Sequence, residues 1–236
     1  MTGLILYIIK STLFLTVFYS FFMLVMRRTT FFRFNRIAFI TGTAACMVLP
    51  FMNIELPAGT SVNAPMMAIQ SALNSETIAL EGAIVTAGEA ATRDIHIIDI
   101  IFIAGALISL LTTMVSYIRM RKMMKSSPVT ISDGMKIRVI DYEIPSFSWG
   151  NTIVISRKDL EENPAILTHE TMHVRCGHSF DLMAFTAVTT LHWFNPIIWI
   201  ARTELKMLHE YEADERTINK GIDATQYQLL LVKKAV

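Results

Sequence analysis

The stretch His169-Glu170-Thr171-Met172-His173 places two histidines four residues apart, with a glutamate directly after the first. In an α-helix, residues four apart lie on one face, so both imidazoles can point at one metal ion. Glu170 is then close to the metal but outside the row of ligands, where a general base for a metal-activated water belongs. The stretch therefore predicts a helix that carries a catalytic zinc site.

A catalytic zinc needs a third protein ligand and an open coordination position. One pattern takes a histidine six residues after the second and would need glycine at position 176 and histidine at 179, but the chain has Cys176 and Ser179. The alternative pattern takes a glutamate from a later helix, and Glu210 with Asp214 four residues on fits it. We expect Glu210 to complete the zinc site, and Asp214 to hold a ligand histidine from behind.

Capping signals flank both of the helices that must present these ligands. Asn163 and Pro164 fit the start of the histidine helix, and Gly177 fits its left-handed end. Residues 197–220 can form one long helix closed by Gly221, and this helix would carry the third ligand.

The segment before the histidine helix has the composition of short strands. Residues 128–131 and 136–140 flank Ser132-Asp133-Gly134, which predicts a β-hairpin. Residues 146–150 lead into a further strand at 151–155. An edge strand here could align an extended substrate through main-chain hydrogen bonds, and an ordinary core strand is the alternative.

The composition indicates a chain that lies partly in lipid. Hydrophobic residues make up 53% and charged residues 17% of the 236 residues, and the mean hydropathy is +0.45. Soluble domains are usually nearer 25% charged. The net charge of +1 gives no electrostatic reason to expect a nucleic-acid partner. The two cysteines do not suggest a disulfide framework.

Three apolar runs predict membrane spans, at about residues 3–26, 37–54 and 95–118. Basic residues cluster between the first two runs and directly after the third, whereas residues 55–94 hold a single arginine. The excess of positive charge on the cytoplasmic side of membranes makes 55–94 an external loop. Everything after Lys125 then begins on the cytoplasmic side.

These spans predict two domains. Residues 1–125 form the membrane domain, and residues 126–236 form a cytoplasmic zinc metalloprotease domain, which we expect to be truncated at its C-terminus. The run 182–201 is also apolar enough to resemble a span. A true crossing would separate His173 from Glu210, so we expect a buried or membrane-associated helix pair, and a shallow re-entrant pair is left open.

Seven short motifs together resemble those of the BlaR/MecR-type membrane metallopeptidases, and they cover nearly the whole chain. They are Lys10 with Tyr19, Phe34-Asn35-Arg36, Leu49-Pro50, Ser146-Phe147-Ser148-Trp149-Gly150, His169–His173, Trp193-Phe194-Asn195-Pro196 and Glu210–Asp214. The resemblance implies an α+β membrane protein in which three N-terminal transmembrane helices precede a mainly helical, gluzincin-like protease domain with a small β-sheet. It also implies that His169, His173 and Glu210 bind one zinc ion per chain, with Glu170 as the base and Asp214 behind the ligands.

The resemblance further implies a multi-pass protein of the bacterial inner membrane. Its expected activity is metal-assisted hydrolysis of peptide bonds in a signalling system related to antibiotic response, acting on itself or on a transcriptional repressor. Expected partners are a protein or peptide substrate and the lipid bilayer, without direct nucleic-acid binding; homodimerisation is left open. Relatives often carry a fourth span and an external sensor domain, and neither precedes Val236, so β-lactam sensing is not expected from the residues present.

Other interpretations remain open from the sequence. A proteolytically silent signal transducer with a structural metal site is the main alternative, although a structural site would not need Glu170. The group that stabilises the developing oxyanion is undetermined among His178, His192, His209 and Tyr211. Cys176 could be a fourth metal ligand, but a packed thiol is favoured.

Overall fold

The computed structural model describes residues 3–26, 29–52, 90–125 and 127–235. Most of the predicted external loop, up to residue 89, lies outside the described residues. The described chain is mostly helical and contains a small mixed sheet of four strands.

The N-terminal part contains helix α1 (Gly3–Val25), helix α2 (Phe32–Val48) with a short 3₁₀ turn after it, and helix α3 (Ala90–Lys125). All three are long and apolar enough to cross a membrane. The first span agrees with its predicted bounds. The chain therefore has three candidate spans in the order that the apolar runs predict.

The second and third helices extend beyond the predicted spans. Helix α2 begins at Phe32, before the predicted start of the second span at residue 37, so Arg36 is inside the helix and not in a linker. Its charge is matched by distant carboxylates, described below, so it does not end the helix. Likewise α3 extends beyond 95–118 at both ends, because the basic residues after the apolar run continue the helix.

The sheet consists of β1 (Val129–Ser132), β2 (Met135–Ile140), β3 (Phe147–Trp149) and β4 (Thr152–Ser156). Its order is β1-β2-β4-β3, with β2 and β4 parallel and the other pairs antiparallel. The predicted hairpin between β1 and β2 is confirmed. Asp133 (φ 48°) and Gly134 (φ 72°) both have left-handed backbones at its turn, as a two-residue hairpin requires. Among the described strands, β3 pairs with β4 alone and is an edge strand.

Five helices follow the sheet: α4 (Arg157–Glu162), α5 (Pro164–Cys176), α6 (His178–Leu191), α7 (Pro196–Ile218) and α8 (Ala224–Ala235). Helix α5 is the predicted histidine helix, and it ends as expected at Gly177, whose φ is 73°. Asn163 is at the N-cap position and Pro164 begins the helix, as predicted, but the Asn163 side chain makes no capping hydrogen bond. That side chain donates to Asp159 Oδ1 instead of accepting a bond from the first turn of α5.

Helices α6 and α7, joined by residues 192–195, form a pair that we call the α6–α7 hairpin. Asn195 caps α7 by accepting a hydrogen bond from the backbone N–H of Ile197 at 2.9 Å. The main apolar core lies between this hairpin and the first two helices. Its buried members are Leu15, Tyr19, Phe22, Phe39, Cys46, Phe185, Ile198, Ala201, Leu205 and Leu208.

The turn of the hairpin contacts α1 and α3 far from their ends. Ser11 Oγ lies 2.9 Å from His192 Nε2, and both side chains are fully buried. The indole N–H of Trp193 donates to the Phe102 carbonyl at 3.3 Å. The Trp193 ring lies directly over Gly105, where a Cβ would collide with it. The hairpin is therefore seated among the apolar helices.

Candidate metal centre

Helices α5 and α7 bring three donor atoms to one point. His169 Nε2 and His173 Nε2 lie 3.0 Å apart, because their positions follow each other on one face of α5. Glu210 Oε2, from α7, lies 3.3 Å from the first of these nitrogens and 3.6 Å from the second. The sequence-predicted ligands are thus brought together.

This triangle fits a zinc ion. Zinc bonds of about 2.0–2.1 Å in a tetrahedral arrangement separate neighbouring donor atoms by about 3.3 Å. The three observed separations lie around that value. Two imidazoles and one carboxylate are also the donor set of catalytic zinc sites that keep one position open. Glu210 is the exposed member, with 58% of its side chain accessible.

The back of His169 is held by Asp214 and Tyr227. Its Nδ1 lies 3.0 Å from Asp214 Oδ1 and 2.7 Å from the Tyr227 hydroxyl. That hydroxyl donates to the same carboxylate oxygen at 2.6 Å. Burial disfavours the charged imidazole, but Asp214 and Glu210 outweigh it and raise the pKa of His169 to about 9 in the metal-free protein. Burial and then Asp214 raise the pKa of Tyr227, so its hydroxyl stays a donor.

The back of His173 is held by another histidine. His173 Nδ1 lies 2.7 Å from His178 Nδ1, so one nitrogen donates and the other accepts. Burial lowers the pKa of His178 to about 4, which keeps it neutral and able to accept. A metal on Nε2 of His173 would put that residue's proton on Nδ1, where it meets this acceptor.

Behind His178 lies a buried group of charges. Glu212 Oε2 is 3.5 Å from His178 Nε2, and its other oxygen accepts from Arg216 at 2.8 Å. Burial opposes ionisation of Glu212, but His178 and Arg36 of α2, which lie beside it, hold its pKa well below the usual range. Asp181, from α6, accepts from Arg36 and from His209 in the same group. The metal site is therefore backed by an ionised network that reaches α2.

Glu170 follows the first candidate ligand and is 7% exposed. Burial raises its pKa, while His173, His169 and a hydrogen bond with Ser148 partly offset the rise. A buried carboxylate beside two candidate metal ligands is in the position from which a general base acts.

Two clefts meet at the metal centre. One, of about 290 Å³, is lined by Phe147 and Ser148 of β3 and also by His173 and Glu210. The other, of about 610 Å³, is lined by His169 and by residues of α8, including Tyr227. Glu170 and Ser146 line both clefts. A chain lying across the site would therefore pass β3, the base and the metal ligands in turn.

The four candidates for stabilising the oxyanion differ in whether they line one of these two clefts. His192 is buried against Ser11, and Tyr211 is 48% exposed and packs on Phe32; neither lines a cleft. His178 and His209 line the smaller cleft. Cys176 groups with His178 and Glu212 instead of with the three candidate ligands, and burial raises the pKa of its thiol.

Three residues of the site were missed by the sequence reasoning. Tyr227 follows a capping signal, since Asp223 Oδ1 accepts from the N–H of Gln226 at 2.8 Å, but nothing in its spacing indicates a contact with α5. Glu212 lies between the two predicted acidic residues and faces the opposite way. Arg36 lies 145 residues before its first acidic partner. These contacts depend on tertiary packing and leave no local pattern.

Comparison with known proteins assigns the chain to a family. No curated protein matches the chain significantly. The model of the BlaR1 peptidase M56 family matches residues 22–228, which include α2, α3, the sheet and all the candidate site residues. Peptidases of this family are membrane-associated metallopeptidases, in agreement with the three apolar helices and the cluster of two histidines and one glutamate. The chain belongs to the BlaR1 peptidase M56 family.

Proposed function

We propose that the protein is an integral-membrane zinc metalloendopeptidase. The observation that carries this proposal is the convergence of His169 Nε2, His173 Nε2 and Glu210 Oε2 at separations of 3.0, 3.3 and 3.6 Å, with a buried glutamate beside them. These three residues would hold one zinc ion per chain. Asp214 would orient His169 from behind.

Zinc held there would supply Lewis acidity and lower the pKa of a water towards about 7. Glu170 would take the proton from the attacking water and later return a proton to the departing amine. Ser148, which lines the same cleft as Glu170, would keep the carboxylate turned towards the scissile bond. His209 and Lys206 line the same cleft. Their N–H groups are of the kind that can donate a hydrogen bond to a developing oxyanion.

The shape of the site favours an extended peptide substrate. β3 is an edge strand beside the cleft, so a peptide can add to it through main-chain hydrogen bonds. Glu170 lines both clefts, and they would receive the side chains before and after the cut. We propose an internal cleavage, in the protein itself or in a transcriptional repressor, as part of a signal-transduction system.

The position of the site fits a membrane enzyme. Helical rise gives about 20 Å between Pro196, at the tip of the α6–α7 hairpin, and Glu210. The same rise gives about 20 Å between Ser11, which the tip contacts, and the end of α1. The site therefore lies level with the ends of α1 and α2. We propose that this level is the cytoplasmic surface of the bacterial inner membrane, and that the hairpin tip enters the apolar layer as a re-entrant pair.

The charged residues of α7 are compatible with that placement. Glu204 is buried, and Arg202 is half-buried with a guanidinium N–H directed at Thr186 Oγ1 at 3.4 Å. Both therefore face the helix pair instead of lipid. Large apolar side chains are exposed on the outer surface of the hairpin, among them Phe194, Trp199 and Ile200. Such a surface is favourable against acyl chains.

The first experiment measures zinc content and self-cleavage of the detergent-purified chain, with wild type and Glu170→Gln side by side. We expect about one zinc per chain in both, and a loss of cleavage of at least about a hundredfold in the variant. Zinc in both without cleavage in either would favour a proteolytically silent transducer. Undiminished cleavage by Glu170→Gln would exclude the assigned base, and absence of zinc from both would exclude the metal site.

A further inference from the structure

Arg36, one turn into α2, reaches acceptors on three other helices. Its Nε donates to Asp181 Oδ2 at 2.6 Å, its Nη1 to Glu212 Oε2 at 3.0 Å and its Nη2 to the Cys176 carbonyl at 2.7 Å. The side chain is 13% exposed. A planar guanidinium can serve three acceptors in fixed directions, which a lysine ammonium cannot do in the same way. The contacts fix α2 to α6, to α7 and to the end of α5.

The two carboxylates that Arg36 holds each contact a histidine. Glu212 Oε2 lies 3.5 Å from His178 Nε2, and Asp181 Oδ2 lies 3.0 Å from His209 Nε2. The two imidazole rings are stacked, with centroids 4.1 Å apart and planes inclined by 7°. A displacement of either carboxylate would therefore displace the stacked pair.

His178 also contacts a candidate metal ligand, His173. Its Nδ1 lies 2.7 Å from His173 Nδ1. With a metal on Nε2 of His173, the proton on its Nδ1 is donated to His178, whose own proton then lies on Nε2 and faces Glu212. The contacts lead from the ligand to Arg36, and the longest of them is the 3.5 Å approach of His178 Nε2 to Glu212 Oε2, which is closer to an electrostatic contact than to a hydrogen bond.

We propose that Arg36 is a positioning residue for the metal centre. Through Glu212 and His178 it sets the orientation of His173, so that zinc binding depends on where α2 lies relative to α5 and α7. This inference rests on the proposed zinc site and adds to it a mechanical connection to a membrane helix. If Arg36 only anchored α2, its loss would lower stability but leave the metal's ligand environment unchanged.

Two other arginines provide matched comparisons. Arg33 lies on the same helix and is exposed, so Arg33→Gln removes the same charge from α2 without touching the network. Arg216 contacts the other oxygen of Glu212 from one turn further along α7, and 37% of its side chain is accessible. Arg216→Gln therefore weakens the charge balance of Glu212 but leaves the connection to α2 in place.

The test uses the full chain in detergent and measures zinc affinity by competition and the visible absorption spectrum of the Co²⁺-substituted protein. For Arg36→Gln we expect about tenfold weaker zinc binding or more, together with shifted cobalt bands. We expect Arg33→Gln to match wild type and Arg216→Gln to change affinity less than Arg36→Gln does. A folded Arg36→Gln protein with wild-type affinity and spectrum would overturn the proposal.

Arg36→Lys covers the case in which the glutamine variant does not fold. It keeps the charge but cannot reproduce the three directed contacts, so we again expect weaker zinc binding and an altered cobalt spectrum. Wild-type values for the lysine variant would overturn the positioning role. If the proposed zinc site itself is wrong, the result differs, because the wild-type protein would then bind neither zinc nor cobalt at the site.

Discussion

The hydroxyl of Tyr227 donates to Asp214 Oδ1 at 2.6 Å, and the same carboxylate oxygen lies 3.0 Å from His169 Nδ1. A residue of the last described helix thus fixes the carboxylate that orients a candidate metal ligand. This contact makes α8 a part of the metal centre and not only a wall of the larger cleft.

Replacing Tyr227 with phenylalanine removes the donor to Asp214 and keeps the ring. We expect zinc affinity to fall by about tenfold, the lower end of the range for groups that orient metal ligands, as measured by competition with a chelating dye. Tyr211→Phe is the control, because Tyr211 is 48% exposed and lies outside both clefts. Equal affinities for the two variants would contradict a role for Tyr227 at the site.

Removal of the metal should lower the thermal stability of the protein. A ligand present at about a thousand times its dissociation constant stabilises the folded state by about 4 kcal/mol. We therefore expect a chelator to lower the melting temperature of wild type in detergent. His169→Ala should melt at the same temperature with and without chelator. A chelator effect of equal size in both proteins would show that the stabilising metal lies elsewhere.

Gly177 connects α5 to α6 with a φ of 73°, and an added Cβ would meet only Phe180 at an ordinary 3.6 Å. The cost of a side chain here is therefore backbone strain. We expect Gly177→Ala to lower the free energy of unfolding by about 1–2 kcal/mol. Gly177→Asn should cost less, since asparagine tolerates the left-handed conformation. Thermal unfolding of both variants tests this order, and an asparagine variant less stable than the alanine variant would contradict it.

Ser11 is the partner of a fully buried histidine. His192 Nδ1 lies 3.1 Å from the Val188 carbonyl, which can only accept, so Nδ1 carries the proton. Nε2 is then an acceptor 2.9 Å from the Ser11 hydroxyl, whose proton it shares with the Ile8 carbonyl at 3.1 Å. Ser11→Ala leaves Nε2 without its donor, at a cost of about 1–3 kcal/mol. Ser20→Ala is the control on the same helix, since Ser20 is exposed. Similar melting temperatures for both variants would contradict the buried contact.

The close approach of Gly105 to Trp193 can be tested by a double-mutant cycle. Gly105→Ala places a methyl group where the indole lies, and overpacking of this kind costs about 1–3 kcal/mol. In a Trp193→Ala background the same substitution should cost little, because the ring is gone. Unfolding measured in detergent gives the four free energies. Additive effects of the two substitutions would show that the residues do not touch in the folded protein.

The candidate ligands were predictable because helical geometry brings the two members of each pair together, and a glutamate on a later helix is the usual partner of two histidines spaced in this way. One turn of α5 places His169 and His173 on the same face, and one turn of α7 does the same for Glu210 and Asp214. The division at residue 125 stays a prediction, and the core includes side chains from both sides of it, such as Phe39 and Phe185.

The support of the site was not predictable from local pattern. Four arginines lie between the first two apolar runs, and the sequence therefore indicated that Arg36 belongs to a linker before the second span. In the folded protein its charge is matched by Asp181 and Glu212, which are 145 and 176 residues away. The Asn163 side chain makes no capping bond for the same kind of reason, because Asp159 competes for it. Polar side chains take the partner that tertiary packing offers.

Helix α3 contacts both the α6–α7 hairpin and the sheet. At Gly105 it receives the indole of Trp193 from the hairpin, and nearer its C-terminus Tyr117 packs against Trp149 of β3, with ring centroids 6.1 Å apart. At its last turn Met124 is buried against the sheet residue Val154. A rotation of α3 about its own axis would thus displace the edge strand β3 and the helix pair that carries Glu210 in one movement.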